Sequence, residues 1–168
     1  MNFEENKKSI VNYPQAILRK KTKSVQAIDE EILKIVRIMV DVMFKNQGVG
    51  LSANQIGYNL RIFVTSPKLK RGEVYIFINP RIISKSGAQT DQEGCLSVPG
   101  FGAFIKRYDK IEIEALDIDG KIFNMKVDGF MARIVQHELD HLNGRIFIQR
   151  LPHKERKKYL KTILKENR

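Results

Sequence analysis

His137-Glu138-Leu139-Asp140-His141 sets two imidazoles four residues apart, with a carboxylate beside the first. On a helix, four positions are just over one turn, so both rings project from one face. Two imidazoles so spaced can hold a single first-row metal ion. Glu138 then stands where it can handle the proton of a metal-bound water. The plain alternative is a helix whose histidines are core or surface residues, and it needs chance to set two of the chain's three histidines around a Glu. Asp140 reads equally as a partner that orients a ligand or as an exposed acid.

Two imidazoles leave a third ligand to be found. A histidine three residues past Gly144 would complete one common pattern, but that position is Phe147, which cannot ligate. The only glutamates further on, Glu155 and Glu166, lie in a lysine-rich tail. Upstream stands Cys95, the only thiol in the chain, within the turn-like segment Glu93-Gly94-Cys95-Leu96-Ser97 and close to Pro99 and Gly100. A lone cysteine is more often a small buried hydrophobe. Beside two histidines that lack a partner, a thiolate at a glycine-flanked turn is the expected third ligand.

The elements that must position these groups follow from periodicity. Apolar residues at Ile32, Ile35, Val36, Ile38, Met39, Val42 and Met43 predict a helix over Asp29–Lys45, with Asp29, Glu30 and Glu31 at its positive end. Gly48–Gly57 reads as an extended, glycine-rich loop. Strands are predicted at Arg61–Thr65, Val74–Ile78, Ile111–Ala115 and Lys121–Val127, with Asp117, Asp119 and Gly120 turning between the last two. Phe130–Leu142 returns to helical spacing and Asn143-Gly144 closes it. A basic helix is predicted over about residues 154–165. The absence of βαβ alternation argues for an α+β fold: antiparallel strands packed around a central metal-binding helix, with an N-terminal and a C-terminal helix.

Composition narrows the class. A chain of 168 residues with 42% hydrophobic and 29% charged residues can bury a core without disulfides, and one cysteine could form none internally. No run approaches about 20 uncharged apolar residues, so no membrane span is expected. With no repeat or linker, residues 1–168 read as one domain. Met1-Asn2-Phe3-Glu4-Glu5 shows no signal or import pattern, which favours a bacterial cytoplasm over an organelle. Thirty Lys+Arg against nineteen Asp+Glu give a formal charge of +11, which favours polyanionic surroundings without identifying a nucleic-acid reader.

Three segments together resemble the peptide deformylase family. They read Gly48-Val49-Gly50-Leu51-Ser52-Ala53-Asn54-Gln55, Glu93-Gly94-Cys95-Leu96-Ser97 and Gln136-His137-Glu138-Leu139-Asp140-His141-Leu142. Each is moderately specific alone; all three in this order are highly specific. The resemblance implies that Cys95, His137 and His141 hold one divalent ion per chain, Fe(II) in the family, with Zn(II), Ni(II) or Co(II) also compatible. It implies removal of the formyl group from the initiator formyl-methionine of nascent polypeptides, releasing formate. A metal-bound water would attack the formyl carbon, Glu138 acting as general base and then acid. Gln55's side-chain amide and the Leu96 backbone N–H would stabilise the oxyanion. Val49, Gly50, Leu51, Glu93, Gly94, Phe130 and Ile134 would bind substrate, the peptide backbone running beside the first segment as an added strand.

Outside the motifs, Arg107 matches the family's usual downstream arginine. Pro99-Gly100-Phe101-Gly102-Ala103 differs from many bacterial members, which carry an Arg near position 102, and this bears on subsites rather than on the reaction. The tail from Arg150 to Arg168 holds eight Lys/Arg and two Glu, with an apolar stripe at Tyr159, Leu160, Ile163 and Leu164. It reads either as a docking helix with a solvated face or as an attachment to ribosomal RNA. A monomer is expected. Three rival readings use the same residues: a zinc metalloprotease, a ribosome-associated, non-catalytic deformylase-like binding protein, and a redox- or metal-sensing protein built on Cys95, which would need a second thiol that the chain lacks.

Overall fold

The computed structural model describes residues 9–166, so the Met1–Glu5 leader reading and Arg168 of the basic tail lie outside the described residues. The first long helix, α1, spans Glu30–Lys45. Asp29 caps it by accepting the Ile32 N–H at 3.0 Å, and Glu30 and Glu31 face the positive end of its dipole. Six of the seven apolar positions read from the sequence are buried, Ile38 alone being only partly so. Each fully buried side chain of that kind is worth about 1.5–3 kcal/mol relative to exposure.

Seven strands follow in two antiparallel sheets. Strands β1 (Gly50–Ser52), β2 (Ile62–Thr65), β3 (Tyr75–Ser86), β6 (Lys110–Leu116) and β7 (Ile122–Asp128) form a five-stranded sheet in the order β1-β2-β3-β6-β7. Strands β4 (Gln89–Cys95) and β5 (Val98–Arg107) pair with each other. The central helix α2 (Gly129–Leu142) packs against β1, β2, β6 and β7. A 3-10 turn, Phe147–Arg150, leads into the C-terminal helix α3 (His153–Glu166). This is the α+β arrangement the sequence implied.

Three expectations are corrected. Gly48–Gly57 is not a loop throughout: Gly50–Ser52 pairs with β2, and Ala53–Ile56 closes into a 3-10 turn. The strand expected at Val74–Ile78 runs on to Ser86, because its polar second half finds a partner in β6. Strands β4 and β5 were not among the expected strands: Gln-Thr-Asp-Gln-Glu-Gly in β4 carries no apolar alternation. Their pairing instead buries Glu93, Ala103, Ile105 and Arg107 on one face. Cys95 therefore ends a strand, and the turn itself is Leu96-Ser97.

The end of α2 behaves as its sequence suggested. Asn143 is the C-cap, and Gly144 follows at φ +72°, where a side chain is disfavoured. A Cβ there would also lie 2.8 Å from the Arg19 carbonyl carbon, so Gly144 lets the N-terminal segment pass against the helix end.

Candidate active site

Helix α2 brings its two histidines to one face, and the end of β4 brings Cys95 to them. The Cys95 Sγ lies 3.2 Å from His141 Nε2, which lies 3.2 Å from His137 Nε2. All three donor atoms fall within 4.8 Å of one another. Ligands around a tetrahedral first-row ion with bonds of about 2.0–2.3 Å stand roughly 3.3–3.7 Å apart, so the cluster has the right size. One thiolate and two imidazoles also make a suitable donor set.

The orientation of His137 is fixed from behind. Its Nδ1 lies 3.0 Å from Glu93 Oε2, which commits that nitrogen to the carboxylate and turns Nε2 towards Cys95 and His141. Glu93 is itself held by two arginines. Arg107 donates Nε and Nη2 to its two oxygens at 2.8 and 2.9 Å, and Arg133 donates Nη1 at 2.7 Å. Burial would raise the Glu93 carboxyl, but the hydrogen bond and charge of Arg107, together with His137, hold it well below the usual carboxylate range.

Arg107 reaches further. Its Nη1 donates to Asp140 Oδ2 at 2.5 Å, and Arg150 donates to both Asp140 oxygens. Burial opposes the Arg107 charge, yet Glu93 and Asp140 raise its proton affinity. Asp140 is thus no exposed acid. Through Arg107 it ties the histidine helix to the strand pair that carries Cys95.

Burial followed by the nearby His137 and Arg107 charges depresses His141 well below the ordinary imidazole value, which keeps its ring neutral. For His137, burial pulls downward, but hydrogen bonds to Cys95 and Glu93 raise it well above that value. The Glu138 carboxyl is raised by burial, with His137 and Ser52 drawing it partly back. Proton affinity shifted in that direction suits a group that takes up and gives back a proton.

A cleft of about 690 Å³ opens beside this cluster. Of the residues named from sequence, it is lined by Val49, Gly50, Gln55, Glu93, Gly94, Cys95, Leu96, Phe130, Ile134, His137 and Glu138. Leu51 does not line it: strand alternation turns the Leu51 side chain into the core with α1, where it is fully buried. His141 lies beneath the cleft, also fully buried. Glu93 faces the cleft only in part, its carboxylate being committed to Arg107, Arg133 and His137. Phe130 is 54% exposed at the rim, whereas Ile134 is 4% exposed at the wall.

Both ends of the Gln55 side-chain amide are engaged. Its Oε1 accepts the Ser52 N–H at 2.9 Å. That bond leaves Nε2 to donate to Ser97 Oγ at 3.1 Å and to lie 3.6 Å from Cys95 Sγ. Ser52 carries no signal of its own in the sequence, yet its hydroxyl donates to Glu138 Oε2 at 2.6 Å. Arg133, buried against Glu93, is a further residue of the site. Its position one turn before His137, on the ligand-bearing face of α2, was the available signal.

A cysteine sulfur and two imidazoles converging beside a buried carboxylate, at the floor of a partly apolar cleft, define a metal-dependent hydrolase. Known proteins agree. The polypeptide deformylase family profile matches residues 7–157. The chain is 48% identical over 132 residues to peptide deformylase 1 of Clostridium perfringens, covering 79% of this chain and 89% of that protein. It superposes on a peptide deformylase from Legionella pneumophila with a TM-score of 0.89 at 36% identity, covering 95% of each chain. A peptide deformylase from Ehrlichia chaffeensis in complex with actinonin superposes with a TM-score of 0.87 at 37% identity, over 95% of this chain and 97% of that one. The chain belongs to the polypeptide deformylase family. It is an enzyme of that family, a metal-dependent hydrolase that removes N-formyl groups from nascent polypeptides.

Proposed function

We propose that Cys95, His137 and His141 hold one divalent ion per chain, and that Glu138, Gln55 and Leu96 carry out deformylation around it. The observation that carries this reading is the convergence of Sγ and two Nε2 atoms beside Glu138 in the cleft. When bound, the ion supplies Lewis acidity and makes water acidic enough to yield a nucleophile near neutral pH. Glu138 takes the proton of the water that attacks the formyl carbon. As the C–N bond breaks, it delivers that proton to the departing amine, so formate and a free N-terminus leave. Gln55 Nε2 and the Leu96 N–H donate to the carbonyl oxygen as negative charge grows there; losing one such donor typically costs about 100- to 1000-fold in rate.

Gly48 and Gly50 give the peptide backbone a close approach, so that it lies along β1 like an added strand. Gly94 borders the opposite wall. Val49, Phe130 and Ile134 line the pocket for the methionine side chain, and Leu51 contributes only backbone. Glu93 serves substrate indirectly, by fixing His137.

The ion is Fe(II), as in the family; the same donors suit Zn(II), Ni(II) and Co(II). The protein acts as a monomer in the bacterial cytoplasm, and the described residues, 9–166, form one catalytic domain. Among the described residues, no helix is long and apolar enough to cross a membrane. Helix α3 docks through fully buried Ile163 while its lysines face outward, which supports both docking and attachment to ribosomal RNA. Reversing Lys157, Lys158 and Lys161 to Glu should lower salt-sensitive co-sedimentation with ribosomes; unchanged co-sedimentation removes that attachment.

The deciding experiment measures formate release from a formyl-methionyl peptide by protein purified without oxygen, beside Glu138→Ala. Rapid release that the substitution abolishes, with metal content retained, is the expected result. Near-normal release by Glu138→Ala would overturn the proton-carrier role. No release by metal-loaded wild-type protein would turn the reading towards a binding protein.

A further inference from the structure

We propose that Ser52 is a positioning residue that gives the two oxygens of Glu138 different tasks. Oε2 is tied down by the Ser52 hydroxyl, and Oε1 alone carries the proton between water and the departing amine. The inference rests on the reading of Glu138 as proton carrier.

On the first oxygen, Ser52 Oγ donates to Oε2 at 2.6 Å. Ser52 is fully buried, so no solvent competes for that bond. The main-chain carbonyl of Glu138 lies 3.0 Å from the same Oγ, so the hydroxyl's neighbours on α2 are both parts of one residue. The Ser52 backbone is restrained as well, because its N–H donates to Gln55 Oε1 at 2.9 Å. One residue thereby orients the proton carrier through its hydroxyl and the oxyanion donor through its N–H.

On the second oxygen, the neighbour is a residue with no side chain. A Cβ on Gly50 would lie 2.5 Å from Oε1 and 3.0 Å from Ile134 Cγ2. The bare Cα of Gly50 therefore leaves the room in which Oε1 sits, and both Gly50 and Glu138 line the cleft. With Oε2 held against a buried hydroxyl, Oε1 is the oxygen left to exchange a proton, beside Gly50 on β1. Without Ser52, the carboxylate can turn about its terminal torsion, and a productive geometry becomes one of several.

The test is steady-state deformylation of a formyl-methionyl peptide by wild type, Ser52→Ala, Ser52→Thr, Glu138→Asp and the Ser52→Ala/Glu138→Asp double variant. Metal content and thermal unfolding are measured on each. A hydrogen bond to a charged group sets the expected scale. Ser52→Ala should lower kcat about 10- to 100-fold, with KM, metal content and fold retained, and Ser52→Thr should recover much of the loss by restoring an oxygen. In Glu138→Asp the shorter side chain draws the carboxylate away from Ser52, so adding Ser52→Ala should cost less than about threefold. Wild-type turnover in Ser52→Ala overturns the inference. So does an equal loss in the Glu138→Asp background, or loss of metal or fold in Ser52→Ala, since each would make Ser52 merely structural. Failure of the wild-type enzyme to release formate would instead strike at the proposed roles themselves, so the two failures are distinct.

Discussion

Glu93 Oε2 stands 3.0 Å from His137 Nδ1, and the same carboxylate is clasped by Arg107 and Arg133. The ligand on α2 is thus oriented by a residue of β4 two positions before Cys95, so one buried group aligns both sides of the metal site. Removing one partner of a buried charge cluster typically costs about 3–5 kcal/mol. Glu93→Ala should therefore destabilise the fold by that order in urea unfolding. It should also weaken metal affinity about 10- to 100-fold, read by competition with a chelator. Unchanged affinity would show that His137 does not depend on Glu93.

Gly50→Ala makes a separate prediction. Its Cβ would fall 2.5 Å from Glu138 Oε1, so the carboxylate or the strand must move. A displacement near 1 Å at a reacting group can cost about 100-fold in rate. Formate release should fall by at least that order while metal content stays normal. Activity within a few-fold of wild type would mean that Glu138 has slack the geometry does not suggest.

Acid should loosen the molecule at a definite place. The folded-state pKa of Glu93 lies well below its unfolded value of about 4.3, because Arg107 and His137 outweigh the cost of burial. The unfolded chain therefore binds the proton first as pH falls. Glu93's contribution is fully present above roughly pH 5 and is lost progressively below pH 4.3. Urea midpoints measured from pH 7 to pH 3 should drop steeply at the acid end for wild type and less steeply for Glu93→Gln. Parallel profiles would assign acid sensitivity to other carboxylates.

Metal removal should abolish turnover, and re-addition of Fe(II) should restore it. Cys95→Ser replaces a thiolate with a poorer ligand and should lower bound metal under the same chelator challenge. Normal metal content in that variant would mean that a residue other than Cys95 completes the site.

The chemistry was legible because its residue types are scarce and its spacing is local. His137 and His141 share a helix face by arithmetic, and Cys95 was the only thiol. The helices were legible for the same reason, their apolar residues recurring at local spacings of three or four. Strands β4 and β5 were not, because β4 buries the charged Glu93 among polar residues, and in β5 glycines and an exposed Phe104 interrupt the buried Val98, Ala103 and Ile105, which obscures the hydrophobic alternation.

What the sequence determined by itself was the class of reaction, the metal-binding residues proposed for it and the helix that presents two of them. Tertiary structure decided how those residues are held: Asp140 turned inward onto Arg107 and Arg150, Glu93 behind His137, Ser52 against Glu138, and Leu51 in the core instead of the cleft. The physical reason is range. A helical turn brings together side chains four apart, whereas contacts such as Ser52 with Glu138 join positions 86 residues apart. Only packing of β1 and the β4–β5 pair against α2 brings such residues within hydrogen-bonding distance.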